Sequence, residues 1–204
     1  GYAFAALKTD GSVVAWGSSN NGGAAPSSGL TNVVTIYSTT FAFAALKTDG
    51  SVVAWGDSNN GGAAPSSGLT NVQTIYSTVG ASYSTYGAFA ALKTDGSVVA
   101  WGGCYECDIS TPSGLTNVQT IYSTGYAFAA LKTDGSVVAW GRSNFGGTAP
   151  SSLSGVEIIY GSTTSRSLST SPHSYVIVQP TSQPTSQPTA QPSVPTGQPT
   201  AQPS

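Results

Sequence analysis

One phrase occurs four times in this chain, and no other feature narrows the fold so far. It reads YAFAALKTDGSVVAWG at residues 2–17, FAFAALKTDGSVVAWG at 41–56, GAFAALKTDGSVVAWG at 87–102 and YAFAALKTDGSVVAWG at 126–141. Trp16, Trp55, Trp101 and Trp140 mark the period, at intervals of 39, 46 and 39 residues. The longer middle interval has a visible cause: YST occurs at Tyr76–Thr78 and again at Tyr83–Thr85, a seven-residue duplication. The underlying unit is 39 residues.

Each unit reads as a short β-meander. The first strand is VVTIYS at Val33–Ser38, echoed at Val72–Ser77, at Val118–Ser123 and, as VEIIY, at Val156–Tyr160. β-Branched and aromatic residues dominate it, as a pleated, half-buried strand prefers. The second strand is FAALKT, for example Phe43–Thr48. Asp49-Gly50 then supplies a pair favoured in tight hairpin turns, where positive φ is needed. The third strand is SVVAW, Ser51–Trp55, and Gly56–Pro65 is an Asn/Gly/Ser-rich loop. Helical periodicity is absent. A unit of three or four short strands cannot bury two faces alone. Radial stacking solves this, so the fold class is all-β, a β-propeller-type repeat domain. A β-solenoid is the rival, but its coils are usually shorter and lack Asp-Gly hairpins.

The string A-L-K-T-D-G-S-V-V-A-W-G, followed by an Asn/Gly-rich loop, a proline and V-x-x-I, resembles the regulator-of-chromosome-condensation repeat superfamily. It is especially similar to the short-repeat members typified by beta-lactamase inhibitor protein II. The resemblance covers residues 1–160. It implies a propeller of seven blades, which at 39 residues each needs about 273 residues, more than the 204 present. It also implies partners of two kinds, a small GTPase or a β-lactamase, but the shared string is scaffold and assigns no functional residue. The chain departs from the chromatin-associated pattern: Tyr2-Ala3, Phe41-Ala42, Gly87-Ala88 and Tyr126-Ala127 stand where a Gly-His pair is common.

Blade number has a second reading. The first unit begins at its second strand, and the last unit supplies a first strand, Val156–Tyr160, and then loses the pattern. Head and tail are complementary halves of one repeat. Four units could close as a ring; the favoured expectation is an arc of a larger one. There is no methionine, at position 1 or elsewhere, and the chain reads as an internal or mature segment.

Composition removes whole classes of function. Charged residues are 7% of the chain, with six Lys/Arg against eight Asp/Glu, where a typical chain carries about 25%. No basic field exists to neutralise phosphates, so no nucleic-acid partner is expected. No apolar run reaches the roughly 20 residues of a membrane span. With one histidine and two cysteines, no metal and no cofactor is expected. Cys104-Tyr105-Glu106-Cys107 is a C-x-x-C motif. A redox role would want a helix N-terminus and a zinc site a second pair, so Cys104 and Cys107 are read as a candidate loop disulfide of an oxidising compartment. Lys8, Lys47, Lys93 and Lys132, with Asp10, Asp49, Asp95 and Asp134, read as exposed hairpin charges. The tryptophans read as repeated packing positions. His173 has no carboxylate nearby, there is no G-x-S-x-G string, and no paired acids stand outside the turns. An enzyme is not expected.

The units disagree with one another on one side only. Alternate connections of a meander fall on opposite faces, so the Lys-Thr-Asp-Gly-Ser turns and the Gly-Leu-Thr-Asn-Val links share a nearly invariant face. The loops after Trp-Gly vary instead: Ser18-Ser19-Asn20-Asn21, Asp57-Ser58-Asn59-Asn60, Gly103-Cys104-Tyr105-Glu106 and Arg142-Ser143-Asn144-Phe145. The duplication ending near Tyr86 lies on the same side. Loops on a rigid scaffold carry binding residues, and Tyr83, Tyr86, Tyr105, Arg142 and Phe145 are the candidate recognition residues. Neutral drift in tolerant loops is the competing reading.

From Gln179 the composition shifts to QPTSQPTSQPTAQPSVPTGQPTAQPS, with no charge and a four-residue rhythm. Such a segment cannot form a core and is expected to be a disordered, extended stalk. It resembles the Gln-Pro-Thr-Ser spacers of algal and protist surface proteins. Residues 161–178 read as a Ser/Thr-rich link with a last strand at Ser174–Val178. The whole is read as a non-catalytic binding or display module, extracellular or at the cell surface, with a protein or a glycan as partner. A protein-inhibitor or GTPase-regulating propeller and a structural spacer are the alternatives.

Overall fold

The computed structural model describes residues 2–78, 87–103, 108–151 and 153–161. Contacts divide the chain into Gly1–Ser167 and Leu168–Ser204, and every described residue belongs to the first unit. The candidate residues Tyr83, Tyr86, Tyr105, Cys104 and Cys107 lie outside the described residues, as do His173, the last strand proposed at Ser174–Val178 and the stalk.

The described chain is all-β. Eleven strands run in order: β1 (Ala3–Leu7), β2 (Val13–Gly17), β3 (Val33–Ser38), β4 (Ala42–Lys47), β5 (Val52–Gly56), β6 (Val72–Ser77), β7 (Ala88–Lys93), β8 (Val98–Gly102), β9 (Val118–Ser123), β10 (Ala127–Lys132) and β11 (Val137–Gly141). β1 and β2 form a two-stranded sheet. The sets β3–β5, β6–β8 and β9–β11 are three-stranded antiparallel meanders. Each is one blade, and successive blades pack face to face as in a propeller.

The cores lie between blades rather than inside them. One joins Ala88, Ala90 and Leu92 of the third blade to Ile121, Phe128 and Trp140 of the fourth. The next joins Ala42 and Ala44 to Ile75, Phe89 and Trp101. The middle strand is covered on both faces, so alternation fails there, and all of Ala88–Leu92 in β7 is buried. Alanine suits it because two blades approach it closely.

A repeated contact locks the first three blades to one another. Phe89 sits opposite Trp101 across β7 and β8, with ring centroids 5.2 Å apart. The pair lies on Gly61 of the preceding blade, where a Cβ would come within 2.6 Å of the Phe89 ring. Trp101 Nε1 donates to the Gly61 carbonyl at 3.0 Å, and Trp55 Nε1 does the same to Gly22. The first strands are tied side by side, Tyr37 Oη lying 3.3 Å from Thr74 Oγ1 and Tyr76 Oη 3.1 Å from Thr120 Oγ1. Each pairs with its second strand through a bulge that skips Val34, Gln73 or Gln119, increasing the local twist.

One sequence expectation is refined and a second needs correction. The Asp-Gly hairpin is a three-residue connection: Lys47 N donates to Ser51 O and Gly50 N to Lys47 O. Only Gly50 takes a positive φ, of 74°, as in a type I turn closed by a left-handed residue. The second concerns Val156–Tyr160. Val156 N donates to Gly135 O at 3.0 Å, as Val33, Val72 and Val118 do to Gly11, Gly50 and Gly96. The segment nevertheless pairs with no strand among the described residues. Its β-propensity is right, but no second strand follows it among the described residues to receive it.

Candidate functional site

The invariant face is a hydrogen-bonded rail. Each hairpin glycine accepts from the valine that opens the next blade, and Thr48, Thr94 and Thr133 donate back to Asn32, Asn71 and Asn117. Those asparagines hold φ near 55–58°, a left-handed bend that asparagine tolerates. The turn carboxylates look inward: Asp10, Asp49, Asp95 and Asp134 each accept from a serine hydroxyl at 2.6 Å and from its backbone N–H at 2.9 Å. The serine hydroxyl, more than the N–H or the neighbouring lysine, holds Asp10 down at about 2 and keeps the others below the usual carboxylate range. Lys8, Lys47 and Lys132 lie 3.3–3.9 Å from their aspartates. A groove of about 460 Å³ opens here between Lys47–Gly50 and Asn71–Gln73. Its acid, Asp49, is already committed to the turn.

The opposite face carries the loops that differ. In the second blade Asp57 caps the loop by accepting from Asn59 N at 2.8 Å. Buried Asn60 reaches forward, its Oδ1 accepting from Gly87 N of the next blade at 2.7 Å. In the fourth blade the same two positions hold Arg142 and Phe145 on a loop of the same conformation. Phe145 is 43% exposed. Its ring centroid is 4.4 Å from that of Tyr126, tilted by 43°. The Arg142 guanidinium carbon lies 4.9 Å from the Phe145 ring and 5.8 Å from that of Tyr126.

The backbone beneath is fixed. Arg142 N donates to Tyr126 O and Phe145 N to Arg142 O, both at 3.0 Å, and Gly147 N donates to Arg142 O at 2.9 Å. Thr124 Oγ1 donates to the Phe145 carbonyl at 3.0 Å. An aromatic pair with a guanidinium over it, on a loop held by four hydrogen bonds, offers apolar area and a cation with little left to order on binding.

Of the five recognition residues expected, the structure thus brings Arg142 and Phe145 together. It adds Tyr126, which opens the second strand and reads in sequence as scaffold. One signal existed: that position is Tyr2, Phe41, Gly87 and Tyr126 in the four units, so it varies as the loops do. Tyr2 and Phe41 stack at 5.9 Å on the same side. The tryptophans divide. Trp55, Trp101 and Trp140 are 5% exposed, whereas Trp16 is 52% exposed and its neighbour Phe4 64%.

No family model and no curated protein matches the chain. Similar solved structures include yeast RCC1 (Prp20) bound to Kap60, at 22% identity and a TM-score of 0.46, covering 69% of this chain and 42% of that one. Human WBSCR16 is 21% identical with a TM-score of 0.41, covering 69% and 45%. The ectodomain of the Physcomitrella patens receptor kinase CR4 is 17% identical with a TM-score of 0.46, covering 70% and 40%. The chain spans less than half the length of each. The superfamily that the repeated string resembles is thus represented among them.

Proposed function

We propose that the chain is a non-catalytic protein-binding module that engages its partner through the variable loop face, with Tyr126, Arg142 and Phe145 as the anchor. The observation that carries this is the exposed Phe145 ring packed against Tyr126 and Arg142 on a hydrogen-bonded loop. Aromatic residues and arginine dominate the energetics of protein interfaces, and a rigid anchor loses little entropy on docking. The partner is a protein in the inhibitor and GTPase-regulating readings as well. Placement outside the cell belongs to the same proposal and is supported by the Ser/Thr/Pro stalk and the C-x-x-C loop of the sequence.

The test is a binding panel of extracellular proteins, small GTPases, β-lactamases and immobilised glycans. Binders of the parent chain are re-measured against Arg142→Ala and Phe145→Ala. Each substitution weakens true partners at least tenfold, about 1.4 kcal/mol. Partners that bind both variants as tightly as the parent place the recognition surface elsewhere, and selection of glycans alone overturns the protein reading.

A further inference from the structure

The chain contains two Asn-Gly pairs, Asn21-Gly22 and Asn60-Gly61, inside the same stretch of sequence: SNNGGAAPSSGLTNV occupies both 19–33 and 58–72. Asn-Gly is prone to spontaneous loss of the side-chain amide, because glycine has no side chain to hinder attack by its own backbone nitrogen. Whatever separates the two sites is therefore the work of the fold. Their backbones agree. Each asparagine closes a single-turn helix, Ser19–Asn21 or Ser58–Asn60, and Gly22 and Gly61 take φ of 92° and 90°. Gly22 N donates to Ser19 O and Gly61 N to Ser58 O, both at 3.3 Å. Bonds of that length are weak and open readily.

The side chains differ. Asn60 is buried, and its amide is bonded at both ends: Oδ1 accepts from Gly87 N at 2.7 Å and Nδ2 donates to Asp57 Oδ1 at 3.1 Å. Asn21 makes one bond, from Nδ2 to Ser18 Oγ at 2.9 Å. Two positions distinguish the surroundings. Ser18 stands where Asp57 does, a neutral acceptor in place of a charged and stronger one, and Phe41 stands where Gly87 does. Cyclisation requires the side chain to swing onto the glycine nitrogen, so each bond that holds it elsewhere slows the reaction.

We propose that Asn21 is a site of spontaneous covalent modification, and that the bonds to Gly87 and Asp57 hold Asn60 back from the same reaction. Gly22 N attacks Asn21 Cγ. The N–Cγ bond forms, the Cγ–Nδ2 bond breaks, and the amide leaves as ammonia, taking the proton that Gly22 N gives up. Water then opens the cyclic imide. Opening at Cγ leaves an aspartate. Opening at the main-chain carbonyl leaves an isoaspartate, whose backbone runs through Cγ and is one methylene longer. Either product puts a carboxylate on the variable loop face, at the position that Phe145 holds in the fourth blade. Isoaspartate also alters the chain immediately before Gly22, the seat of the second blade. Trp55 Nε1 donates to the Gly22 carbonyl at 3.0 Å, and a Cβ on Gly22 would come within 2.6 Å of the Phe43 ring. The modification thus bears on the contact between the first two blades.

The experiment ages the full chain in neutral buffer, folded and in urea, and follows both sites by tandem mass spectrometry. Trypsin separates them, because Lys8, Lys47 and Lys93 place Asn21 and Asn60 in different peptides. An isoaspartyl methyltransferase marks the isoaspartate product. In the folded chain Asn21 converts at least about tenfold faster than Asn60, the order expected from two side-chain hydrogen bonds. In urea the two convert at one rate, since they share their sequence. Ser18→Asp slows Asn21 and Asp57→Ser speeds Asn60, with circular dichroism confirming the fold of each variant. Equal rates in the folded chain overturn the proposal, as does an Asn21 that stays intact while the unfolded chain converts. Folded variants that leave both rates unchanged overturn the role given to these bonds. The isoaspartate form, isolated by anion exchange, unfolds at a lower denaturant concentration than the parent, and an equal midpoint would detach the site from the blade contact.

Discussion

At the scale of single residues, the glycines after Trp-Gly show how one hydrogen atom in place of a methyl sets the spacing of blades. Gly61 and Gly146 share a loop conformation, with φ of 90° and 98°. They differ in what lies opposite: the Phe89 ring at 2.6 Å from a built Cβ for Gly61, open space beyond Thr124 for Gly146. Alanine at either position bears the strain of a left-handed backbone, about 1 kcal/mol. Only at Gly61 must it also displace a buried aromatic pair, at about 1–3 kcal/mol more. Chemical denaturation in dilute solution should therefore find Gly61→Ala the more damaging by at least 1 kcal/mol, about the lower end of that range. Equal losses would mean that the blades do not seat on these glycines. Phe145 shows the converse economy. Asn60 spends its side chain on a bond to the next blade, whereas Phe145 at the matching position packs on Tyr126 and Arg142 and stays 43% exposed.

At the scale of elements, the hairpins carry a pH dependence whose sign follows from their carboxylates. The folded turn holds Asp10 at about 2 against an ordinary 3.8, and holds Asp49, Asp95 and Asp134 in the same direction. A depressed folded value means that the stabilisation is complete above the unfolded value and is lost as pH falls through the folded one. The melting temperature should therefore decline between pH 3.8 and about 2, and a variant with all four aspartates changed to asparagine should decline less over that interval. Parallel curves would remove the turns from the acid response. These hairpins also show what a sequence can convey. Asp-Gly between β-branched runs located every one of them, because turn chemistry is local. It missed the turn class, because a three-residue loop and a two-residue loop share the same glycine. Val156–Tyr160 has the composition of a strand but not its partner, and pairing depends on residues far away in the chain. Arg142 and Phe145 stood out because the units disagree there. Tyr126 did not, because its contact with Phe145 exists only once β10 brings the two together.

At the scale of the whole molecule, stability in a stack of repeats is close to a sum of unit terms and nearest-neighbour interfaces. The second and third blades are packed on both sides, and their buried strands show it: β7 is wholly covered from Ala88 to Leu92. Among the described residues the β1–β2 sheet has one neighbouring blade and two strands, and its homologous Phe4, Leu7 and Trp16 are exposed. Local opening follows such differences in burial, so amide exchange in dilute solution should be fastest in Ala3–Gly17 and slowest in Ala88–Gly102. Protection of Ala3–Gly17 equal to that of β7 would mean that the blades are not stabilised by their neighbours in the way the stack implies.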